Sequence, residues 1–179
     1  AEYQDLLCQQ IYDLDLDPNN FNLILEQYSN NTGIAIYYAC LFLLQKEFYG
    51  LTYFLPTDHL IYEEPIFFKE VLFSVDKNRI NLFGQRIDNP CSNFGYIVEG
   101  ENISYAYYKV DKFIEKPGYK EIETLKINNR KVYRNLGIYL GTASVLYNEF
   151  RKFHKGLPSV VFDFNNNKHD VQAIYNETV

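Results

Sequence analysis

Helix-like and strand-like segments alternate along the first half of this chain, and this alternation is the feature that most constrains its fold. Apolar residues recur at spacings of three and four within residues 3–14, which predicts a helix. Three short apolar segments are predicted to be strands: FNLILEQ, LTYFLPTD and RINLFGQRI. Helices are predicted between these strands, at residues 30–48 and 63–77. We therefore expect an α/β fold with a Rossmann-like, mixed and mostly parallel sheet flanked by helices.

The second half of the chain is richer in strands. FGYIVEG and ISYAYYKVDKFIEK, joined by the turn-like EGEN, predict an antiparallel hairpin. A short amphipathic helix (YKEIETLKIN), a strand (VYRNLGIYLGT) and a closing helix (ASVLYNEFRKFHK) follow. Because no internal repeat or linker is evident, we assign residues 1–179 to one domain.

Composition limits the possible partners. The 179 residues are 47% hydrophobic, enough for a sizeable core, and the formal net charge of -6 argues against nucleic acid as a partner. No apolar run approaches the ~20 residues that cross a bilayer, so we expect no membrane association. The three cysteines form no Cys-x-x-Cys pair and no secretory signal is present, which favours a reduced, cytoplasmic protein; they are Cys8, Cys40 and Cys91.

Two polar clusters follow predicted strands. Asp58 comes at the end of LTYFLPTD, where a carboxylate could hold Mg²⁺ against a phosphate or could cap the next loop; position alone leaves these equal. In FIEKP, Lys116 could place its charge on a phosphate and Glu115 could accept sugar hydroxyls. Taken alone, that cluster is better explained as a charged turn that ends in proline.

Three further positions could contribute to a site. Asn135 and Gly137 begin an apolar strand, where an amide can bond a sugar hydroxyl and glycine permits close approach, although a strand-entry turn explains them as well. Gly95-Tyr96 in NFGYI is equally ambiguous. Asp163 lies inside an apolar run and, if buried, needs a partner, of which a metal ion is one. The three histidines are spread along the chain, which argues against zinc.

The order of these segments resembles the sugar-phosphate nucleotidylyltransferase family, in particular its mannose-1-phosphate guanylyltransferases. ILEQYSNNTGIAI is similar to the family's Glu-Pro-x-x-Arg-Asn-Thr-Ala-x-Ala-Ile, and FLPTDHLI to its Leu-Pro-x-Asp-His-x-Ile. NFGYI resembles Gly-Tyr-Gly-Tyr-Ile, FIEKP matches Phe-x-Glu-Lys-Pro, and RNLGIYL resembles Trp-Asn-Ser-Gly-Met-Phe. Five motifs in the family's order span most of the chain.

The resemblance implies the nucleotide-diphospho-sugar transferase fold and transfer of GMP from GTP to mannose 1-phosphate, with Mg²⁺, giving GDP-mannose and pyrophosphate. It places guanosine at Glu26, Asn31 and Thr32, and the metal at Asp58 and Asp163. Asp58 and Lys116 become the candidate catalytic residues. The residues implied for mannose 1-phosphate are Gly95, Tyr96, Glu115, Lys116, Asn135 and Gly137.

The chain also departs from the family. Gly33 replaces an alanine, Phe94 a tyrosine and Arg134 a tryptophan, and the Gly-rich Gly-x-Gly-x-Arg-Leu-x-Pro loop does not occur. We therefore expect an N-terminally incomplete chain of low stability, whose partner is a separate N-terminal fragment or a second copy. Two alternatives remain open: a non-catalytic sugar-phosphate-binding remnant, and a sister enzyme with another nucleotide or sugar.

Overall fold

The computed structural model describes residues 4–17, 20–24, 31–62, 68–69, 71, 75–87, 89, 91–104, 107–127 and 131–153. These residues belong to two compact units, one formed by the chain up to Gly50 and from Ala143 onward, the other by Leu51–Thr142. The assignment of the chain to one domain stays a prediction. The elements are α1 (Gln4–Asp13), α2 (Asn31–Gln45), β1 (Leu51–Phe54), β2 (Asn81–Arg86), β3 (Tyr96–Ser104), β4 (Tyr107–Ile114), α3 (Tyr119–Ile127), β5 (Val132–Thr142) and α4 (Ala143–Phe153).

The first unit is helical. Its core lies between α2 and α4, where the Tyr37 ring stacks on Tyr147 at 5.7 Å and meets Phe150 edge-on at 5.6 Å. Burial, helped by the neighbouring Tyr147, raises the pKa of Tyr37 to about 12. The predicted helices at both positions are confirmed. The strand predicted at 21–27 is not found in residues 20–24, and the rest of it lies outside the described residues.

The second unit contains a sheet of five strands with β5 at its centre. The order is β1-β5-β3-β4, and β2 pairs with β5 as well. All four described pairings, β1 with β5, β2 with β5, β3 with β5 and β3 with β4, are antiparallel. The α/β class is thus confirmed, as is the hairpin of β3 and β4, but the turn predicted at EGEN is wrong because residues 99–102 lie within β3. The prediction of a mostly parallel sheet is wrong for these strands.

The position of β5 explains that error. Each of β1, β2 and β3 opposes β5, so these three strands share one direction, as alternating helices and strands lead one to expect. The last strand of the chain, however, lies between them and runs the other way. Alternation along a sequence predicts the direction of successive strands, but it does not show which strand will be inserted between them.

Polar residues tie the sheet together from inside. The buried Asn81 side chain donates to the Leu140 carbonyl at 2.9 Å and accepts from the Tyr107 hydroxyl at 2.9 Å, which joins β2 to β5 and β4. The Tyr133 hydroxyl donates to Glu99 Oε2 at 2.7 Å, and this hydrogen bond, together with burial and the carboxylate charge, raises the pKa of Tyr133 to about 12. Around these groups the core is apolar: Tyr96, Val98, Ile114, Ile122, Ile138 and Leu140.

None of the described helices is both long and apolar enough to cross a membrane. Of the helix predicted at 63–77, residues 68, 69 and 71 are helical and residues 75–77 are not; the others lie outside the described residues.

Candidate sugar-phosphate site

One edge of β5 is paired at both ends and open in the middle. β3 pairs with residues 132–134 of β5, and β1 pairs with residues 139–142. Because β2 overlaps both stretches on β5, it must occupy the other edge, so β1 and β3 share this one. The end of β1 and the start of β3 therefore approach each other beside residues 135–138, which contain Asn135 and Gly137.

Gly95, immediately before β3, joins this opening to β4. Its carbonyl accepts a hydrogen bond from the Asn135 backbone N–H at 2.8 Å. A Cβ atom on residue 95 would lie 3.0 Å from Glu115 Oε2 and 2.7 Å from Phe113 Cζ. The carboxylate of Glu115 thus reaches over the backbone of Gly95, and a Cβ atom at that position would displace it. Residues from three sequence motifs meet at one place.

Lys116 follows Glu115 in a conformation that L-residues rarely adopt, with φ at 43°. Its Nζ lies 3.8 Å from Glu115 Oε1, and the two side chains are 65% and 63% exposed. A surface pair of this kind contributes at most about 1 kcal/mol, so stability does not explain its geometry. The buried Pro117 fixes the turn that presents both side chains.

The segment that follows β1 lies beside Gly137, in the opening of β5. Its φ is +68°, and a Cβ atom there would lie 3.5 Å from Pro56 Cγ. Pro56 follows β1, and two residues further on the Asp58 side chain is exposed. The loop that carries the predicted metal ligand therefore starts at the opening in β5.

Asn135 supplies an unsatisfied group. Its Oδ1 atom is buried and has no hydrogen-bond partner among the described residues. A buried amide oxygen without a partner costs about 1–3 kcal/mol, a cost that a ligand hydroxyl could offset. Together with the Glu115 carboxylate and the Lys116 ammonium, the opening offers two acceptors for hydroxyl groups and one cation for a phosphate.

The resemblance implies that Tyr96 binds the sugar phosphate, but in the structure its side chain contacts Cys91. It is fully buried, and its hydroxyl donates to the Cys91 carbonyl at 2.7 Å and accepts from the Cys91 N–H at 2.9 Å. The phenol therefore fixes the segment that leads into Gly95 and does not face a ligand. The sequence could not show this, because the signal is a contact five residues away within an irregular segment.

The nucleotide and metal residues are less completely described. Asn31 begins α2 and Thr32 is exposed in its first turn, whereas Glu26 and Asp163 lie outside the described residues. Within the described part of the chain, no three potential ligands cluster as a metal site. Asp58 is an exposed carboxylate, which fits Mg²⁺ when phosphate oxygens and water complete the coordination. The metal role of Asp58 and Asp163 stays a prediction.

Most of the chain is similar to known proteins. The model of the family described as nucleotidyl transferase matches residues 2–164. Mannose-1-phosphate guanylyltransferase 2 of Escherichia coli O157:H7 is 30% identical over 82% of this chain and 33% of its own length. The xanthan biosynthesis protein XanB of Xanthomonas campestris pv. campestris (strain B100) is 27% identical over 87% of the chain and 33% of its length. The chain thus spans about a third of these relatives.

Solved structures share the fold. A crystal structure described as mannose-1-phosphate geranyltransferase from Thermus thermophilus superposes with a TM-score of 0.73 at 19% identity, covering 94% of this chain and 49% of that one. A structure described as mannose-6-phosphate isomerase from Helicobacter pylori gives a TM-score of 0.69 at 24% identity, covering 87% and 58%. At these identities the similarity shows a shared fold.

Proposed function

The chain belongs to the nucleotidyl transferase family, and we propose that it carries the sugar-phosphate side of an enzyme that transfers GMP from GTP to mannose 1-phosphate. Two relatives that it resembles are named mannose-1-phosphate guanylyltransferase, at 30% and 28% identity. Since the chain spans about a third of their length, the activity of a whole enzyme, its substrates and its partners are part of this proposal.

The observation that carries the proposal is the convergence at the opening of β5. Gly95, Glu115 and Asn135 come from three different strands or their ends, yet the Asn135 N–H and the Glu115 carboxylate both meet Gly95. The buried Oδ1 of Asn135 has no partner in the described part of the chain. A ligand with adjacent hydroxyls and a phosphate, such as a sugar phosphate, matches this set of groups.

The chemistry requires little beyond positioning. A phosphate oxygen of mannose 1-phosphate forms a bond to the α-phosphorus of GTP, the bond from that phosphorus to the bridging oxygen breaks, and pyrophosphate leaves. Lys116 would attract the sugar phosphate and partly neutralise its charge, while Glu115 and Asn135 accept sugar hydroxyls. Holding the attacking oxygen in line is the main contribution that such residues can make.

Asp58, with Asp163, would hold Mg²⁺, which when bound neutralises charge on the phosphate oxygens. The guanosine would lie at Glu26, Asn31 and Thr32, and Thr32 presents an exposed hydroxyl in the first turn of α2. These assignments rest on the family motifs, and the structure supports them only by leaving Asp58 and Thr32 accessible.

A binding test distinguishes the proposal from a decayed structural remnant. Calorimetry should detect mannose 1-phosphate, and Lys116→Ala should weaken its binding at least tenfold because the phosphate loses its cation. Lys109→Ala, which removes another exposed lysine, one paired with Glu101, is the matched control and should change nothing. Absence of any mannose 1-phosphate binding in the unaltered chain would contradict the proposal.

A second experiment separates an enzyme part from a binding module. A polypeptide carrying the Gly-rich loop, added to this chain, should restore pyrophosphate release from GTP and mannose 1-phosphate. Sugar-phosphate binding without turnover under such complementation would favour the binding module. Faster release with dTTP or UTP than with GTP would instead identify a sister nucleotidylyltransferase.

A further inference from the structure

The segment 91–95, here called the Gly95 loop, is attached to the sheet at three points. The Tyr96 hydroxyl bonds both backbone groups of Cys91 at its start. The Asn135 N–H bonds the Gly95 carbonyl at its end. Between them, the ring of Phe94 lies beneath the guanidinium of Arg134, with 4.8 Å between the Arg134 Cζ and the ring centroid. The proposed function so far uses only the contact at Gly95.

The position of Arg134 above the Phe94 ring is fixed by its neighbours in the sheet. It lies opposite Tyr96 on β3 and opposite Gln85 on β2, and its guanidinium donates a hydrogen bond to Gln85 Oε1. A guanidinium attached to a neighbouring strand and stacked on an aromatic ring has little rotational freedom left to lose. Phe94, by contrast, is 40% exposed, so burial alone does not fix its position.

Arg134 cannot act by touching the ligand at the opening of β5. Successive side chains of a strand point to opposite faces of the sheet, so Arg134 and Asn135 face opposite ways. Any effect of Arg134 on the site must pass through Phe94 to Gly95, or through the backbone of β5. Phe94 and Arg134 are also two of the positions at which the chain departs from the family motifs.

We propose that Arg134 is a positioning residue: its guanidinium, held by Gln85 on β2, packs on Phe94 of the Gly95 loop, fixes Gly95 beside Asn135 and Glu115 and so preorganises the site for a sugar phosphate. The role in sugar-phosphate binding rests on the proposed function. The clamp, meaning this contact of Arg134 with Phe94, is a property of the loop and can be measured without any ligand.

The hydrogen-exchange rate of the Asn135 amide measures the effect of the clamp directly, because that N–H donates a hydrogen bond to the Gly95 carbonyl. In Arg134→Ala we expect this amide to exchange about three- to tenfold faster, the size expected for one lost cation–π contact. The amide of Ile122, which is bonded to the Gly118 carbonyl, should keep its rate and show that the fold is intact. Arg134→Lys, which retains a cation above the ring, should recover part of the protection.

Two further variants make the test specific. Phe94→Ala should reproduce the faster exchange, and the double variant Arg134→Ala/Phe94→Ala should exchange no faster than either single variant, since both remove one contact. Arg86→Ala is the matched control, because Arg86 is an exposed arginine on the same sheet, opposite Tyr133. An unchanged Asn135 amide in Arg134→Ala, or an equal effect of Arg86→Ala, would overturn the clamp.

The second part of the proposal, preorganisation of the site for a ligand, is tested by the binding of mannose 1-phosphate. Arg134→Ala should weaken its binding by the same three- to tenfold and, in the complemented enzyme, raise KM for mannose 1-phosphate while leaving KM for GTP unchanged. Unaltered binding alongside faster exchange would show that the clamp does not serve the ligand and would overturn that part of the proposal. If the unaltered chain binds no mannose 1-phosphate, the proposed function fails, and the exchange rates still decide the clamp.

Discussion

A side chain at position 95 would displace two side chains that occupy the space beside Gly95. In Gly95→Ala the new methyl group would meet Phe113 Cζ at 2.7 Å and Glu115 Oε2 at 3.0 Å. Because both atoms are the ends of exposed side chains that can move, we expect little change in the free energy of unfolding but displacement of the Glu115 carboxylate from the site. Urea unfolding measures the first effect and calorimetry with mannose 1-phosphate the second.

Gly118→Ala provides the control for that substitution. No described atom lies within 4 Å of a Cβ at position 118, and its φ does not require glycine. This variant should keep both stability and binding. Equal behaviour of the two alanine variants would show that the approach of Glu115 to Gly95 has no consequence.

Lys116 combines an exposed charge with an unfavourable backbone. Because its φ is 43°, we expect Lys116→Gly to be about 1 kcal/mol more stable than Lys116→Ala, since only glycine enters this region without steric cost. Both variants should bind mannose 1-phosphate equally poorly, because both lack the ammonium group. Paired urea unfolding curves and calorimetry measure this, and equal stability of the two variants would contradict a strained turn.

At the residue scale the sequence singled out three residues that the structure brings together, but it did not predict every contact. Gly95, Glu115 and Asn135 meet as the motif order suggested. Tyr96 turned inward to Cys91, and Arg134, noted only as a departure from the family, contacts Phe94. Side-chain roles of this kind depend on cross-strand register, which local patterns do not contain.

Helix α2 contains a glycine that its packing does not need. A Cβ at Gly33 would lie 3.7 Å from Phe150 Cε1, an ordinary van der Waals distance. Gly33→Ala should therefore stabilise the chain by about 0.5–1 kcal/mol through helix propensity, as measured by its urea midpoint. Gly84→Ala on β2 is the contrasting variant and should destabilise, because its Cβ would lie 2.6 Å from Tyr133 Cβ.

Asn81 is the polar connection between strands β2, β4 and β5. Asn81→Ala removes the donor to the Leu140 carbonyl and the acceptor for the Tyr107 hydroxyl, and should cost about 3 kcal/mol of unfolding free energy because buried groups lose partners. Tyr107→Phe removes only one of these bonds and should cost about 1 kcal/mol. Equal losses in the two variants would show that the amide donor of Asn81, which bonds the Leu140, Asp76 and Arg79 carbonyls, contributes nothing.

At the scale of elements, periodicity predicted α1, α2 and α4 and the apolar segments that became β1 and β2. These patterns are local, and burial of one face suffices to produce them. Strand pairing was harder to predict, because β1 and its partner β5 are far apart in sequence. Residues 21–24, part of a predicted strand, form neither helix nor strand in the structure.

At the scale of the whole molecule, the sheet is determined by β5, which is inserted among strands that run antiparallel to it. This arrangement brings the end of β1 and the start of β3 to one edge of β5 and leaves residues 135–138 open between them. The class of fold and the family were accessible from the sequence, since motifs keep their order along a chain. The opening itself was not, because it is produced by two separate pairings on one strand.

The central claim is that this opening binds mannose 1-phosphate, and amide chemical shifts test it most directly. Titrating the ¹⁵N-labelled chain with mannose 1-phosphate should shift the amides of Gly95, Lys116, Asn135 and Gly137, and Asn135→Ala should abolish those shifts while Gly118→Ala retains them. Titrations that leave these four amides in place, or shifts that persist unchanged in Asn135→Ala, would contradict the account.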